Sequence, residues 1–417
     1  MSVRYQPASA ESILTVSGIR LGTASARIKN WERDDVLLIE CEEGTIAAAV
    51  FTQNRFCAAP VLLDKEYLTL QRQYGKGLRG IIVNAGNANA GTGAEGFARA
   101  KQTSEEVARI LLCAPEEVMV CSTGVIMEQL PVEKLIAVLP QAASRLDASS
   151  ESWIRAARAI MTTDTVHKAI STQVIIDGEP VTVTGIAKGA GMIHPNMATM
   201  LSFIASDVPI AADVWQALWR DVVGVSFNAI TIDGDTSTND SLIAMATGQA
   251  KVPPIKNQHD PRLVLLKEAL LDVALPLAQA IIRDGEGASK FITIHVEGHD
   301  VETCRKVAFS VAHSPLVKTA FFASDPNLGR IICAIGNATP EDLDAGRVSL
   351  WLGDVLVVDK GGRASSYREE DGQRVMQEEE IDIRIDLGHE THQNAKITIW
   401  TCDLSHDYVT INAEYRT

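Results

Sequence analysis

The sequence lacks any regular spacing of cysteines. Its seven cysteines show no C-x-x-C pattern, and their number is odd. Neither a disulfide framework nor a zinc ribbon is indicated. We therefore expect reduced thiols, as in a cytoplasmic protein.

Long hydrophobic runs and an excess of positive charge are also missing. The first twelve residues contain no apolar segment of the kind found in signal peptides. The longest hydrophobic stretch, LVLLKEALLDVALPLAQAII, is interrupted by three charged residues and a proline, too often for a membrane span. The net charge of −15 disfavours nucleic acid and anionic membrane surfaces as partners. We expect a protein that acts on a small metabolite.

What is present is an alternation of strand-like and helix-like segments over most of the 417 residues. The stretch VLLIECEEGTIAAAVF predicts a hairpin, and EIDIRIDL and KITIWTC predict half-buried antiparallel strands of a smaller α+β lobe that begins near residue 288. Further predicted elements are the strands GIIVNA, EEVMVCS and TMLSFIAS, helices at 131–146, 152–161 and 211–224, and a long helical segment that is kinked or restarted at Pro276.

Three familiar motifs fail on inspection. GAGMIH begins like a dinucleotide fingerprint, but His194 and Pro195 stand where a glycine and a helix are needed. DGDTSTND lacks the glycine and the glutamate of a calcium loop. HETH, at residues 389–392, has the wrong histidine spacing for a zincin, so we expect no metal site.

The stretch KGAGMIHPNMATMLSF suits cleavage of the chain by its own side chain. Two glycines and Pro195 specify a tight turn, and the small Ala198 leaves its carbonyl open to the hydroxyl of Thr199. Attack followed by hydrolysis would leave chains of 198 and 219 residues, which sum to 417. The freed amine, with a pKa of about 7.7 to 8.0, could activate the Thr199 hydroxyl as a nucleophile. A plain core strand, with threonine present for its β-propensity, remains the alternative from the residues alone.

The same stretch resembles the processing site of the ornithine acetyltransferase (glutamate N-acetyltransferase) family of arginine biosynthesis. The likeness covers essentially the whole chain and includes several long, chemically unusual motifs: VFTQNRFCAAPV, VNAGNANAGTG, CSTGVI, MTTDT, SFNAITIDGDTSTNDS, DGEGASKF, DPNLGR and the final NAEYRT.

The resemblance implies a reaction and the residues that perform it. Cleavage between Ala198 and Thr199 would give an α chain of residues 1–198 and a β chain of residues 199–417. Thr199 would then take the acetyl group from N2-acetyl-L-ornithine and pass it to L-glutamate in a ping-pong cycle. Thr123 and Gly124 match the family's oxyanion hole. The positions that match its substrate-binding residues are Thr162, Lys188, Thr199, Glu286, Asn412 and Thr417.

The resemblance also implies a layered α/β/β/α body over about residues 1–287 and a C-terminal lobe, about 288–417, whose tail returns to the active site. It implies no cofactor, although some members use acetyl-CoA as a co-substrate, and it implies a cytoplasmic dimer of αβ units. The sequence departs from the family pattern at four positions, none of them assigned a role: Ala85, Gly91, Met127 and Leu328.

Two other functions remain open at this point. A self-cleaving amidohydrolase or aminopeptidase of the same fold would use water as the acceptor, and it differs from a transferase in whether glutamate accelerates ornithine release. A non-catalytic binding protein would keep one intact chain, which a denaturing gel would reveal.

Overall fold

The computed structural model describes residues 2–194, 200–338, 343–388 and 395–414. Within these ranges it contains fifteen β-strands and eleven α-helices. The strands are β1 (Ile19–Ala24), β2 (Val36–Cys41), β3 (Ile46–Phe51), β4 (Gly80–Asn87), β5 (Val118–Val125), β6 (Lys168–Ile176), β7 (Glu179–Lys188), β8 (Leu201–Ser206), β9 (Ser241–Ala246), β10 (Phe291–Gly298), β11 (Ser349–Leu352), β12 (Val355–Asp359), β13 (Gly362–Arg363), β14 (Glu380–Asp386) and β15 (Ala395–Cys402). The helices are α1 (Ala59–Tyr74), α2 (Gly93–Leu111), α3 (Val132–Ser144), α4 (Ser150–Ala159), α5 (Ala212–Val225), α6 (Arg262–Arg283), α7 (Val301–His313), α8 (Pro315–Phe322), α9 (Gly329–Asn337), α10 (Glu369–Met376) and α11 (His406–Ala413).

These strands form three sheets. The first has the order β1-β2-β4-β5, the second β3-β9-β8-β7-β6, and the third β13-β12-β11-β14-β10-β15. Parallel pairs are β4 with β5, β8 with β9, and β10 with β14. The third sheet is built entirely from strands that follow residue 288.

The first two sheets lie face to face, and helices cover their outer faces. One apolar cluster contains inward-facing residues of both sheets, such as Ile39 and Phe203. A second cluster joins the other face of the first sheet to α1, α2 and α3. A third joins the other face of the second sheet to α5 and α6, and it continues into the C-terminal sheet. Strands such as β4 and β8 are buried along their whole length, and most of their residues are apolar or small on both faces. The structure confirms the predicted layered α/β/β/α architecture.

Helix α5 shows how a helix is fastened to the second sheet. Trp215 and Trp219 are fully buried, and their ring N–H groups donate to the Ala244 and Leu242 carbonyls at 3.1 and 3.0 Å. A buried tryptophan keeps a partner for its one polar atom, so both rings add apolar burial without an unpaired donor.

One predicted strand pairing is wrong. The segments β2 and β3 do not form a hairpin, because β2 pairs with β1 and β4 in the first sheet while β3 pairs with β9 in the second. The turn at Gly44, which has a φ of +87°, carries the chain from one stacked sheet to the other. The prediction of two antiparallel strands in the C-terminal lobe is confirmed for β15, which is antiparallel to β10, and only in part for β14, which is antiparallel to β11 but parallel to β10. Alternation of apolar residues indicates one buried face and leaves the pairing direction undetermined.

All seven cysteines are free thiols, as predicted. The segment 262–283 is one helix that runs through Pro276. Across the ranges given above, no helix combines the length and the apolar character needed to traverse a bilayer.

Candidate active site

A cleft of about 210 Å³ lies where the end of β5, the loop after α4, the end of β7 and the segment before β9 meet. It is lined by six of the residues predicted to form the site: Thr123, Gly124, Thr162, Lys188, Glu286 and Asn412. The predicted cleavage pair, Ala198 and Thr199, and the terminal Thr417 lie outside the described residues.

The end of β5 gives the cleft its Thr123–Gly124 wall. Gly124 has a φ of +135°, and a Cβ there would lie 2.2 Å from the backbone carbon of Gly86, so the position admits only glycine. The ladder between β4 and β5 is irregular at Gly86 and Asn87, as at a β-bulge. Bulges re-aim a strand end, and this one turns the end of β5 towards the cleft.

Asn239, in the segment before β9, ties this wall together, and the sequence analysis did not assign it a role. Its side-chain amide donates to the Ser122 carbonyl at 2.9 Å and to the Ala88 carbonyl at 2.5 Å. Asn239 is buried and lines the cleft. The sequence feature that could have identified Asn239 as a site residue is its position inside the motif DGDTSTND.

Lys188 ends β7 with its ammonium group inside the cleft. Only 3 % of the residue is exposed, and Nζ donates to the Thr123 hydroxyl at 3.2 Å. Burial lowers the pKa of Lys188, while the negative charges of Asp164 and Glu286 oppose that shift. The cleft therefore contains a poorly solvated cation next to the predicted oxyanion hole.

A buried ion cluster of Asp164, Lys168 and Asp284 supports the cleft from behind. The Lys168 ammonium lies 2.7 Å from a carboxylate oxygen of each aspartate, and all three side chains are at most 1 % exposed. Burial alone would raise the pKa of Asp164, but Lys168, Lys188 and the Gly189 N–H hold it well below its usual range. The sequence analysis missed this cluster, although Asp164 and Asp284 stand in the motifs MTTDT and DGEGASKF.

The cluster also fixes the backbone around two predicted site residues. Asp164 accepts the N–H of Thr162 at 3.0 Å and that of Gly189 at 2.8 Å, and Gly189 directly follows Lys188. Because a buried charged group that loses its partner is costly, these hydrogen bonds resist local opening. The cluster thus holds the Thr162 loop and the end of β7 in a fixed relation.

Glu286 and Asn412 form the opposite side of the cleft. The Asn412 amide donates to Glu286 Oε2 at 2.7 Å, and the Glu286 N–H donates to the Ala190 carbonyl at 2.7 Å. A Cβ at Gly191 would lie 2.3 Å from the Glu286 carboxylate. Gly191 is one of the two glycines assigned above to a tight turn; it has no positive φ, and the structure shows instead that it permits this close approach.

Carboxylates hold the backbone on both sides of the predicted cleavage segment. Before it, Asp233 accepts the N–H of Met192 at 2.6 Å and that of Ile193 at 3.0 Å. After it, Asp240 accepts the N–H of Met200 at 2.9 Å. Strands β7 and β8 are antiparallel neighbours with Lys188 paired to Leu201, so the segment between them begins and ends beside the cleft.

A second cavity of about 480 Å³ adjoins the first and shares four lining residues with it, among them Gly124 and Thr162. Its other wall comes from the loop after β1, where Lys29 and Trp31 lie. Among the described residues, no group of three or more histidine, cysteine, aspartate or glutamate side chains is arranged to hold a metal ion.

Comparison with known proteins identifies the family to which this chain belongs. The model of the ArgJ family matches residues 20–417. A protein of Neisseria gonorrhoeae named "Arginine biosynthesis bifunctional protein ArgJ" is 50 % identical over 421 residues, which covers 100 % of both chains. The chain belongs to the ArgJ family. A protein of the same name from Colwellia psychrerythraea is 48 % identical over 419 residues and 97 % of each chain. The crystal structure of an ArgJ from Bacillus halodurans is 34 % identical, with a TM-score of 0.48, and matches 52 % of this chain and 99 % of that one.

Membership of the ArgJ family agrees with the resemblance on which the site residues were predicted. Two of the departures from the family pattern contact each other in this chain. A Cβ at Gly91 would lie 2.8 Å from the sulfur of Met127, an exposed and flexible side chain.

Proposed function

We propose that this protein is a self-processing acetyltransferase that moves the acetyl group of N2-acetyl-L-ornithine to L-glutamate. The observation that carries the proposal is the convergence of Thr123, Gly124, Thr162, Lys188, Glu286 and Asn412 on one cleft, beside both ends of the segment that contains Ala198 and Thr199. The arginine-biosynthesis names of two full-length relatives support it.

Processing comes first in this proposal. The Thr199 hydroxyl attacks the Ala198 carbonyl, the peptide C–N bond breaks, and the acyl group moves from nitrogen to oxygen. Water then hydrolyses the ester, which leaves a carboxylate on Ala198 and a free amine and hydroxyl on Thr199. The two chains have 198 and 219 residues. The new amine, with an ordinary pKa of about 7.7 to 8.0, accepts the hydroxyl proton in the later steps.

Transfer then proceeds in two halves. Thr199 Oγ attacks the acetyl carbonyl of the donor, and the Thr123 hydroxyl and the Gly124 N–H stabilise the negative oxygen that forms. The C–N bond to ornithine breaks, ornithine takes a proton and leaves, and an acetyl ester remains on Thr199. The glutamate amine attacks that ester, which restores the Thr199 hydroxyl and yields N-acetylglutamate.

The charges of the cleft suit amino-acid substrates. Lys188 supplies a poorly solvated ammonium group for a substrate carboxylate, and Glu286 supplies a carboxylate for a substrate ammonium group. Thr162, Asn412 and the terminal Thr417 complete the proposed substrate contacts. We propose no cofactor.

We extend the proposal to acetyl-CoA as a second donor and to a dimer of αβ units in the cytoplasm. The adjoining cavity of about 480 Å³ offers room for a larger donor beside Gly124. The seven free thiols agree with a reducing compartment.

The experiment that tests the proposed function is the release of ornithine from N2-acetyl-L-ornithine with and without L-glutamate. A transferase releases ornithine steadily only when glutamate is present, and N-acetylglutamate appears in equal amount. Steady release without glutamate, together with free acetate, would instead identify the hydrolase that the same site chemistry could support.

A further inference from the structure

Strand β5, which ends in the predicted oxyanion hole, lies at the edge of the first sheet. Within the ranges that the structure describes, no strand pairs with it on the side away from β4, so side chains satisfy its backbone there. Asp64 of α1 accepts the Val120 N–H at 2.8 Å, and the Asn239 amide donates to the Ser122 carbonyl at 2.9 Å. The direction of the Ser122 carbonyl therefore depends on Asn239 and not on a neighbouring strand.

The Asn239 side chain uses both of its N–H groups and its oxygen. The nitrogen donates to the Ser122 carbonyl and, at 2.5 Å, to the Ala88 carbonyl, and the oxygen accepts the Thr238 hydroxyl at 2.6 Å. Two carbonyls on one side require the amide nitrogen there, because a carbonyl oxygen only accepts. Since Ala88 directly follows β4, this single amide joins the ends of β4 and β5.

The backbone that carries Asn239 is itself held in place. The Asn239 N–H donates to the Ser237 hydroxyl at 3.0 Å, and the Thr52 hydroxyl donates to the Ser237 carbonyl at 2.7 Å. The Ala58 N–H donates to the Thr238 carbonyl at 2.9 Å. A side chain can orient a partner only when its own backbone is fixed, and these contacts meet that condition.

We propose that Asn239 is a positioning residue for the oxyanion hole: by holding the Ser122 carbonyl, its amide sets the direction of the Thr123 hydroxyl and the Gly124 N–H. The inference rests on the proposed function, which gives these two donors their role in acetyl transfer. The Ser122 carbonyl belongs to the peptide group that leads into Thr123, so a rotation of that group turns both donors. Oxyanion donors act only at about 2.7 to 3.1 Å from the oxygen that becomes negative.

Asn239 acts through Ser122 and not on the bound substrate. It is 6 % exposed and lines the cleft, but backbone carbonyls take both of its N–H groups. The two oxyanion donors serve both the formation and the breakdown of the acetyl ester. Loss of the Asn239 amide should therefore slow both half-reactions, whereas loss of a group that binds one substrate should slow one.

The test measures each half-reaction of Asn239→Ala by rapid quench. Mixing the cut protein with N2-acetyl-L-ornithine gives a burst of ornithine, whose amplitude counts the functional sites and whose rate constant reports acetylation. Adding L-glutamate to the acetylated protein gives the second rate constant. We expect a wild-type amplitude and a decrease of about tenfold to a hundredfold in both rate constants, less than for removal of a whole oxyanion donor. The substrate concentrations for half-maximal rates should stay within about twofold.

Gln216→Ala is the matched control. Gln216 is also a buried amide on an edge strand, since it donates to the Ala49 carbonyl of β3 and accepts the Ala49 N–H, both at 3.1 Å. It does not line the cleft. Its alanine variant should lose stability and keep both rate constants.

Three results would overturn the proposal. They are equal effects of the two variants, a decrease in only one half-reaction of Asn239→Ala, and a smaller burst with wild-type rate constants, which would show that Asn239 supports folding alone. If Asn239→Ala does not fold, Asn239→Ser is measured in the same way, and wild-type rate constants in it would contradict the proposal.

A folded Asn239→Ala chain that stays uncut is decided by hydrogen exchange, with the uncut Thr199→Ala chain as the reference. Backbone amides of residues 122–125 should exchange at least about tenfold faster in Asn239→Ala, and equal exchange would contradict the proposal. An uncut, inactive wild-type protein would instead refute the proposed function itself.

Discussion

Lys188 and Glu286 face the same cleft with opposite charges, and their surroundings differ. Lys188 is 3 % exposed and has the Thr123 hydroxyl as an acceptor. Glu286 is held by the Asn412 amide. If a substrate carboxylate binds here as proposed, we expect it to interact strongly with this poorly solvated ammonium group, because little water is displaced when the pair forms.

We predict that Lys188→Met lowers kcat/KM for acetyl transfer by about a hundredfold, through loss of a charge-assisted hydrogen bond and a buried cation. Steady-state kinetics of the cut variant gives the value. Lys290→Met is the control, since Lys290 is a buried lysine immediately before β10 whose ammonium donates to the Met376 and Glu378 carbonyls. That control should lose stability and keep kcat/KM, and a Lys188→Met enzyme as active as the control would count against a role in substrate binding.

His313 ties α7 to the start of the cleavage segment. Its Nε2 lies 3.1 Å from His194 Nδ1 and 3.0 Å from the Thr231 hydroxyl. Burial, together with the neighbouring His194 and Lys318, lowers the pKa of His313 to about 3. The folded protein therefore keeps this ring neutral at pH values at which the unfolded chain protonates it.

That depressed pKa predicts a loss of stability in mild acid. The contribution of the neutral His313 ring to the free energy of unfolding is fully present above the unfolded pKa of about 6.5, and it is lost as the pH falls towards the folded pKa. The loss in the free energy of unfolding amounts to about 2 kcal/mol between pH 7 and pH 5. Denaturant unfolding at both pH values measures it. His313→Gln should lose this part of the pH dependence, whereas replacement of the exposed His259 should not. An unchanged slope in His313→Gln would show that other groups cause the acid sensitivity.

At the scale of elements, α11 is held by polar contacts and contributes no buried residue. The Ser405 hydroxyl caps its start by accepting the Tyr408 N–H at 3.2 Å, and the Tyr408 hydroxyl donates to Asp233 at 3.1 Å. One turn further on, Asn412 reaches Glu286. Although Tyr408 packs partly buried against the apolar core, a helix without a fully buried residue is typical of elements that open locally at low cost.

We predict that Tyr408→Phe raises the KM for both amino-acid substrates by about fivefold, because the helix that carries Asn412 loses a hydrogen bond worth about 1 kcal/mol. Initial-rate measurements against each substrate test this. Val409→Ala changes an exposed residue of the same helix and should leave KM unchanged. Identical KM values in Tyr408→Phe and wild type would mean that α11 does not depend on this contact.

Helices and strands whose apolar residues recur with a regular period could be predicted from the sequence, but the strands with which each strand pairs could not. The helices predicted at 131–146, 152–161 and 211–224 occur at Val132–Ser144, Ser150–Ala159 and Ala212–Val225, because an apolar stripe at helical spacing is a local signal. The hairpin prediction for β2 and β3 was wrong because the pairing of β3 with β9 joins residues almost two hundred positions apart. No local pattern encodes such a partner.

At the scale of the whole molecule, the proposed cut falls between strands that are interlocked. In the second sheet, β8 and β9 follow the cut, and they lie between β3 on one side and β7 and β6 on the other, all of which precede it. Backbone ladders connect these strands on both flanks. The two chains are therefore parts of one sheet and one core.

We predict that the cut protein unfolds in a single cooperative transition and that its two chains co-purify until they are denatured. Separation would require breaking both ladders and exposing the apolar clusters on both faces of the second sheet. Size-exclusion chromatography followed by a denaturing gel, together with calorimetry, tests this. Two resolved thermal transitions, or chains that separate on the native column, would contradict it.

The site as a whole could be predicted only through family resemblance. Thr123, Lys188 and Glu286 stand far apart along the chain, and no periodicity relates them; the fold brings them together from the ends of β5 and β7 and from the loop between α6 and β10. The supporting residues Asp164, Lys168 and Asp240 escaped prediction because their roles depend on burial and on partners in other elements. A carboxylate in a sequence motif gives no sign of whether it faces water or a buried backbone nitrogen.

The central claim is that the chain severs itself at Ala198–Thr199 and that Thr199 becomes the nucleophile. Intact-mass spectrometry of the purified active protein tests it most directly, with Thr199→Ala as the comparison. The account predicts two chains of 198 and 219 residues for the wild type, and one uncut, inactive chain of 45.0 kDa for the variant. A wild-type protein that transfers acetyl groups as a single chain of 45.0 kDa would contradict it.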